Sequence, residues 1–264
     1  MKMFSIEDKQ RVVIKIGTST LAHKTGRLNV RRMEKLVKVI ADIHNSGRQV
    51  ILVSSGAIGL GMSKLGLHER PKDTPMKQAC AAVGQCELMY IYDKLFGEFN
   101  INVAQILLTK YIIDTPRKNN VENTFEKLIS HNVIPIVNEN DTVAIDELEL
   151  ELGENDSLAA LVGVIGKADM LIILSDIDGL YDGNPKDNPD AKLIPVVNEI
   201  TDDIRALAGG AGSGLGTGGM ITKIHAAEIA MGAGMDMAIL NGRNPSVLYD
   251  LFDGKSVGTI FTDK

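Results

Sequence analysis

At 264 residues the chain is long enough for one large domain or two fused lobes, and a composition that is 44% hydrophobic and 23% charged supplies a core that needs no disulfide or metal staple. Lys plus Arg number 28 against 34 for Asp plus Glu, a net charge of −6, which argues against general nucleic-acid binding, because a duplex wants a positive face. An anionic ligand would have to be met by local positive features.

In chain order, short apolar runs rich in Val and Ile alternate with helix-like stretches. Strands are expected at residues 12–16, 50–53, 103–108, 133–137, 171–174 and 237–240, all buried on both faces. Helices are expected at 30–45, 74–99, 119–131, 155–166 and 218–231. The alternation implies an α/β fold, a mostly parallel sheet with helices on both sides. A soft boundary near Gly166-Lys167 would divide it into an N-terminal lobe, 1–166, and a C-terminal lobe, 167–264. Cys80 and Cys86 form neither a CxxC pair nor a disulfide framework, and are expected as buried free thiols in a reducing cytosol. The N-terminus lacks the apolar run of a signal peptide, and no apolar stretch reaches membrane-spanning length. The expectation is a cytoplasmic protein with neither membrane nor nucleic acid as partner.

In parallel sheets ligands bind beyond the carboxyl ends of the strands. Polar or glycine-rich segments follow the strands at Gly17-Thr18-Ser19, Ser54-Ser55-Gly56-Ala57, Asn138-Glu139-Asn140-Asp141 and Ser175-Asp176. Lys15 interrupts the first apolar strand. A lysine there is costly unless its ammonium is paired or reaches a ligand, or unless the side chain snorkels to the surface. Ser54-Ser55-Gly56-Ala57 reads as a turn into a helix, offering N–H groups and hydroxyls to an anion or simply a Ser cap. Asn155-Asp156 opens an apolar helix, as ligand-binding residues or only a cap, and Asp146, Glu147, Glu149 and Glu151 read as a solvated edge or hairpin. Gly214-Leu215-Gly216-Thr217-Gly218-Gly219 runs into a helix whose first turn carries Lys223, and a lysine at a helix N-terminus is disfavoured without an anion beside it.

Three motifs point elsewhere; context weakens the first, rules out the second and leaves the third as a minor alternative. The same glycine run matches a dinucleotide fingerprint, but residues 201–208 before it look helical, not extended. Gly254-Lys255-Ser256 resembles the end of a P-loop but has Tyr249 where the first glycine belongs, so it reads as a turn. Asp176-Ile177-Asp178-Gly179 resembles a haloacid-dehalogenase nucleophile motif, yet Leu180 follows it and it lies two-thirds along the chain. The five histidines have no metal-ligand spacing.

Taken together, Lys15-Ile16-Gly17-Thr18-Ser19, Ser54-Ser55-Gly56-Ala57, Ala82-Val83-Gly84-Gln85, Asn138-Glu139-Asn140-Asp141, Asn155-Asp156-Ser157-Leu158-Ala159 and Gly216-Thr217-Gly218-Gly219-Met220-Ile221-Thr222-Lys223 resemble the amino acid kinase family over essentially the whole chain. The closest likeness is to its glutamate-phosphorylating branch, the glutamate 5-kinases. That family usually reads Gly-Asp-Asn-Asp where this chain has Gly153-Glu154-Asn155-Asp156.

The resemblance implies a three-layer αβα sandwich and ATP-dependent phosphorylation of the side-chain carboxylate of L-glutamate, with Mg²⁺, as the first step of proline biosynthesis. It implies that Lys15 and Lys223 contact the transferred phosphoryl group and the ATP phosphates, and that Asp156 orients them. Ser55, Asp141 and Asn155 would hold glutamate. Ser175, Asp176, Thr217, Gly218, Gly219, Met220, Ile221, Thr222 and Lys223 would bind the nucleotide. It further implies a homo-oligomer, feedback inhibition by proline, a downstream glutamyl phosphate reductase, and a kinase domain without the C-terminal PUA domain of many members. A sister kinase acting on acetylglutamate, aspartate, carbamate or UMP is the nearest rival, and a non-catalytic sensor on the same fold another. Asp141 favours a substrate with a free amino group.

Overall fold

The computed structural model describes residues 6–23, 27–109, 117–143, 155–185, 187–208 and 219–263. Eight strands form one sheet: β1 (Arg11–Ile16), β2 (Gln49–Ser54), β3 (Val103–Leu108), β4 (Ile134–Glu139), β5 (Met170–Ser175), β6 (Val196–Val197), β7 (Asp236–Asn241) and β8 (Thr259–Phe261), in the order β3-β4-β2-β1-β5-β7-β8-β6. Every pairing is parallel except β7–β8. Central β1 lies between β2 and β5, in register from Val12 through Ile16 with both. The chain leaves β1 first towards β2 and later returns to its other side as β5, so the carboxyl ends of β2, β1 and β5 border the crevice where ligands bind in such sheets.

Side chains alternate across a strand, and the alternation in β1 sorts the two cores. Val12, Ile14 and Ile16 face the layer of α2 (Val30–Asn45), α4 (Thr74–Gly97) and α9 (Val247–Phe252). Val13 faces the opposite layer, built from α5 (Lys118–Ser130), α6 (Asn155–Ile165) and α8 (Met220–Gly232). The helix periods follow from the sequence: Leu36, Val37 and Ile40 make one buried stripe of α2, and Leu88, Tyr92 and Phe96 one of α4. Both helices begin on a side-chain cap, Asn29 accepting from the Arg32 N–H and Asp73 from the Met76 N–H. The remaining helices are α1 (Thr18–Leu21), α3 (Ala57–Lys64) and α7 (Asp202–Ala208).

The αβα architecture matches the sequence reading, with three corrections. β3 is an edge strand and only half-buried, with Gln105 exposed, because no described strand pairs its outer side. The two shortest strands, β6 and β8, add an antiparallel step that apolar runs did not announce. Cys80 is buried but Cys86 is exposed, since six residues of helix turn it about 240° away from the buried stripe. The acidic segment from Asp146 to Glu151 lies outside the described residues.

α3 crosses α4 at backbone contact. A Cβ on Gly84 would overlap the Ala57 carbonyl, and one on Gly61 would overlap the Cys80 carbonyl. This crossing fixes α3, and with it the Ser54-Ser55-Gly56 turn that feeds it; Gly56 itself has φ +103°, a conformation glycine adopts without strain. Gly84→Ala should therefore destabilise by about 1–3 kcal/mol through overpacking. Gly97→Ala, where nothing lies within 4 Å of the added methyl, should be neutral or stabilising. Urea denaturation of the two variants checks the pair; equal stabilities would mean the crossing can relax.

Candidate active site

Lys15 shares a face of β1 with Val13 and therefore points at the α6–α8 layer. It does not snorkel: the residue is 5% exposed. Its Nζ lies 2.7 Å from Oδ1 of Asp156, in the first turn of α6. Oδ2 of the same carboxylate lies 3.1 Å from Nζ of Lys223, in the first turn of α8. The Thr222 hydroxyl is 3.0 Å from that oxygen and also 3.0 Å from the Gly219 carbonyl, so its single proton can serve either. Asp156 is fully buried. Both lysines are nearly so, and each pairs with Asp156 out of solvent.

The electrostatics favour the carboxylate and strain the cations. The α6 N-terminus stabilises the negative Asp156, whereas the α8 N-terminus opposes Lys223. Two ammoniums around one carboxylate gather cationic groups where α8 begins. Such a cluster is suited to a polyanion that approaches from the carboxyl end of the sheet.

A second cluster adjoins the first, since Asn155 precedes Asp156. The Asn155 Nδ2 faces three acceptors: Asn138 Oδ1 at 2.9 Å, the Ser54 carbonyl at 3.1 Å and Ser55 Oγ at 3.1 Å. Asn138 Nδ2 donates in turn to Gln85 Oε1 at 2.9 Å. The Ser54 hydroxyl shares a 2.9 Å hydrogen bond with Tyr92, whose buried phenol is pushed to a higher pKa by desolvation and so stays protonated. Asp141 lies in the turn after β4, three residues beyond Asn138.

On the other side, Ser175 ends β5 and Asp176 is exposed just beyond it. The Ser175 carbonyl accepts from the Gly242 N–H at 2.7 Å, joining the ends of β5 and β7. Gly17 sits above Lys15, where a Cβ would lie 3.6 Å from Nζ, so the backbone can come close to whatever the ammonium meets. Gly219 caps α8, Met220 and Ile221 open it, and Ile221 is exposed. The site residues expected at Thr217 and Gly218 lie outside the described residues. The sequence thus located Lys15, Asp156, Lys223, Thr222, Ser55 and Asn155, which meet in space. It missed the structural part played by Asn138 and Gln85. Both stood inside recognised segments, but nothing in their spacing joined positions 53 residues apart.

The profile described as the amino acid kinase family matches residues 10–241. A protein named Glutamate 5-kinase from Clostridium perfringens is 52% identical over 263 residues, covering 98% of each chain. One of the same name from Listeria innocua is 51% identical over 263 residues, covering 98% of this chain and 95% of its own. The chain belongs to the amino acid kinase family. Among solved structures, UMP kinase from Ureaplasma parvum superposes with a TM-score of 0.64 at 16% identity, covering 96% of this chain and 99% of that one. Isopentenyl phosphate kinase from T. acidophilum gives 0.62 at 18%, covering 95% and 99%. At these identities the likeness establishes the amino acid kinase fold.

In an amino acid kinase the Asp156 cluster has a thermodynamic signature as well as a chemical one. Removing the carboxylate takes an ion-pair partner from two buried ammoniums at once, whereas removing either lysine leaves the carboxylate paired with the other. Asp156→Leu should cost about 3–5 kcal/mol of stability, the scale for orphaning a buried charge, and more than Lys15→Met or Lys223→Met. Each lysine variant should instead lower turnover by roughly 10²–10³, the scale for one charge donor to a transition state. Denaturation curves and ADP release check both; a lysine variant with near-normal turnover would be only structural.

Proposed function

We propose that this chain transfers the γ-phosphoryl group of ATP to the side-chain carboxylate of L-glutamate, giving L-glutamyl 5-phosphate and ADP, the first step of proline biosynthesis. The observation that carries the reading is the buried Lys15–Asp156–Lys223 cluster standing beside the Asn155–Ser55 amide site, in a chain 52% identical to a protein named for this reaction.

Phosphoryl transfer asks for alignment and charge neutralisation more than for covalent chemistry. A glutamate side chain, with a reference pKa near ~4.3, is already ionised at pH 7, so no general base is needed. The obstacle is two anions approaching each other. Lys15 and Lys223 would offset that repulsion by dividing between them the charge that spreads over the transferred group, while Asp156 keeps both ammoniums at the carboxyl end of β1. Mg²⁺ takes oxygen ligands and commonly arrives on substrate phosphates. Among the described residues no three His, Cys, Asp or Glu side chains converge on a metal site. Arriving with the nucleotide, the ion would neutralise phosphate charge.

Glutamate would lie on the β2–β4 side. Ser55 would bind its carboxylate; Asp141 and the Asn155 carbonyl oxygen would take its ammonium. ATP would lie on the β5–β7 side, against Ser175, Asp176 and the segment Thr217 to Lys223. The two halves, 1–166 and 167–264, would then be a substrate lobe and a nucleotide lobe sharing one sheet. Asp156 of the first half grips Lys223 of the second. An acyl phosphate hydrolyses readily, which favours a reductase acting next. The same reading includes a cytoplasmic homo-oligomer restrained by proline.

With ATP and Mg²⁺, hydroxylamine should trap a γ-glutamyl hydroxamate from L-glutamate, and N-acetylglutamate and aspartate should react poorly. Asp141→Ala should raise the KM for glutamate and leave that for ATP unchanged, as loss of uniform binding does. Proline, which shares the α-ammonium and α-carboxylate, should compete with glutamate and not with ATP. Faster turnover of acetylglutamate than of glutamate would overturn the substrate assignment.

A further inference from the structure

We infer that Gln85, on α4, is a positioning residue for the amino-acid substrate: by accepting from Asn138 it anchors the side chain against which Asn155 is seated. The inference rests on the reading of the site given above and concerns how its substrate half is kept in order.

The polarity of the amide chain is set at one end by the backbone. The Glu139 N–H can only donate, and it donates to Asn138 Oδ1 at 2.9 Å. Asn138 must therefore turn its NH₂ the other way, towards Gln85, which has to present Oε1. On the other flank Asn138 Oδ1 can only be met by a donor, so Asn155 turns Nδ2 inward. The Ser54 carbonyl, an obligate acceptor, demands the same orientation of Asn155. With Nδ2 so occupied, Asn155 Oδ1 is left facing away from the chain as an acceptor, the group an ammonium requires. No protein donor reaches it among the described residues.

The chain also ties the two helical layers together around the sheet's carboxyl edge. Asn138 shares the parity of Ile134 and Ile136 and so faces α4, where Gln85 sits one turn before Leu88. Asn155 begins α6 on the opposite layer. Asn138 is 3% exposed, Asn155 7% and Gln85 8%, so water competes poorly for these groups. Gln85 Nε2 is buried and has no partner among the described residues. The glutamine is thus retained for its acceptor and tolerates an unsatisfied donor.

Without an acceptor at position 85, the buried Asn138 NH₂ is orphaned. The Glu139 N–H and the Ser54 carbonyl still bar a flip of either amide, so the Asn138 side chain shifts instead, loosening the acceptor on which Asn155 is seated and with it the Asn155 oxygen offered to the substrate. Gln85 acts through Asn155 and touches no reacting atom, so kcat and the ATP site should be spared.

The test is ADP release with glutamate varied at saturating ATP, then with ATP varied. Gln85→Met, close in volume, should lower kcat/KM for glutamate by on the order of tenfold, the scale of one buried hydrogen bond. The KM for ATP should not move. Gln85→Glu, which keeps an acceptor and lacks the amide donor, should restore kcat/KM to within about twofold at pH 8, a rescue that tests acceptor geometry. It also carries the test if Gln85→Met does not fold. On an Asn155→Ala background Gln85→Met should add nothing, because its route has been removed. Multiplying effects of the two substitutions, a Glu variant as impaired as the Met variant, or wild-type kinetics in Gln85→Met would each overturn the inference. Absence of glutamate-dependent ADP release from the wild-type protein would instead sink the proposed function.

Discussion

One buried carboxylate joins β1, α6 and α8. Asp156 is fully buried and holds Lys15 with one oxygen and Lys223 with the other. An ammonium in the middle of an apolar strand would otherwise either drive the strand apart or lose its proton, and a second at a helix N-terminus would be repelled by the helix itself. Pairing both to a carboxylate seated at the favourable end of α6 resolves the two problems at once. It also brings two ammoniums together at the carboxyl end of the sheet.

This arrangement needs three elements far apart in sequence to arrive at one point, and the sheet supplies that. β1 sits in register between β2 and β5, so its alternation decides that Lys15 enters the α6–α8 layer. The same alternation in β4 sends Asn138 into the α4 layer, where Gln85 meets it. Asn155 and Asp156, neighbours at the start of α6, then serve the two halves separately: the first joins the amide chain, the second the lysines. A displacement of α6 would disturb the amide chain and the lysine pairs together. The glycine crossing of α3 on α4 anchors the remaining wall, because Ser55 lies in the turn that α3 closes.

Much of this was readable from residues alone. Apolar runs of strand length, alternating with helical periods, gave the layered parallel sheet, and the polar segments after the strands marked its functional edge. Lys15 stood out because a lysine does not belong in such a run, yet the sequence left pairing and snorkelling equally open; only the position of Asp156, 141 residues on, decides between them. β6 and β8 escaped notice because two- and three-residue strands carry no periodicity. β3 was read as fully buried because its composition resembles that of the central strands, and edge position is a property of topology. The exposure of Cys86 could have been found by carrying the α4 stripe through to that position. The Gln85–Asn138–Asn155 chain could not, since it depends on which amide faces which across three elements.

The central claim is that Asp156 holds two lysines so that both reach the group in transfer. A crystal structure with ADP, aluminium fluoride, Mg²⁺ and L-glutamate tests it most directly. The account predicts Lys15 Nζ and Lys223 Nζ each within about 3.2 Å of the fluoride group while both remain on Asp156. Either ammonium lying out of reach of that group, with the substrate in place, would contradict it.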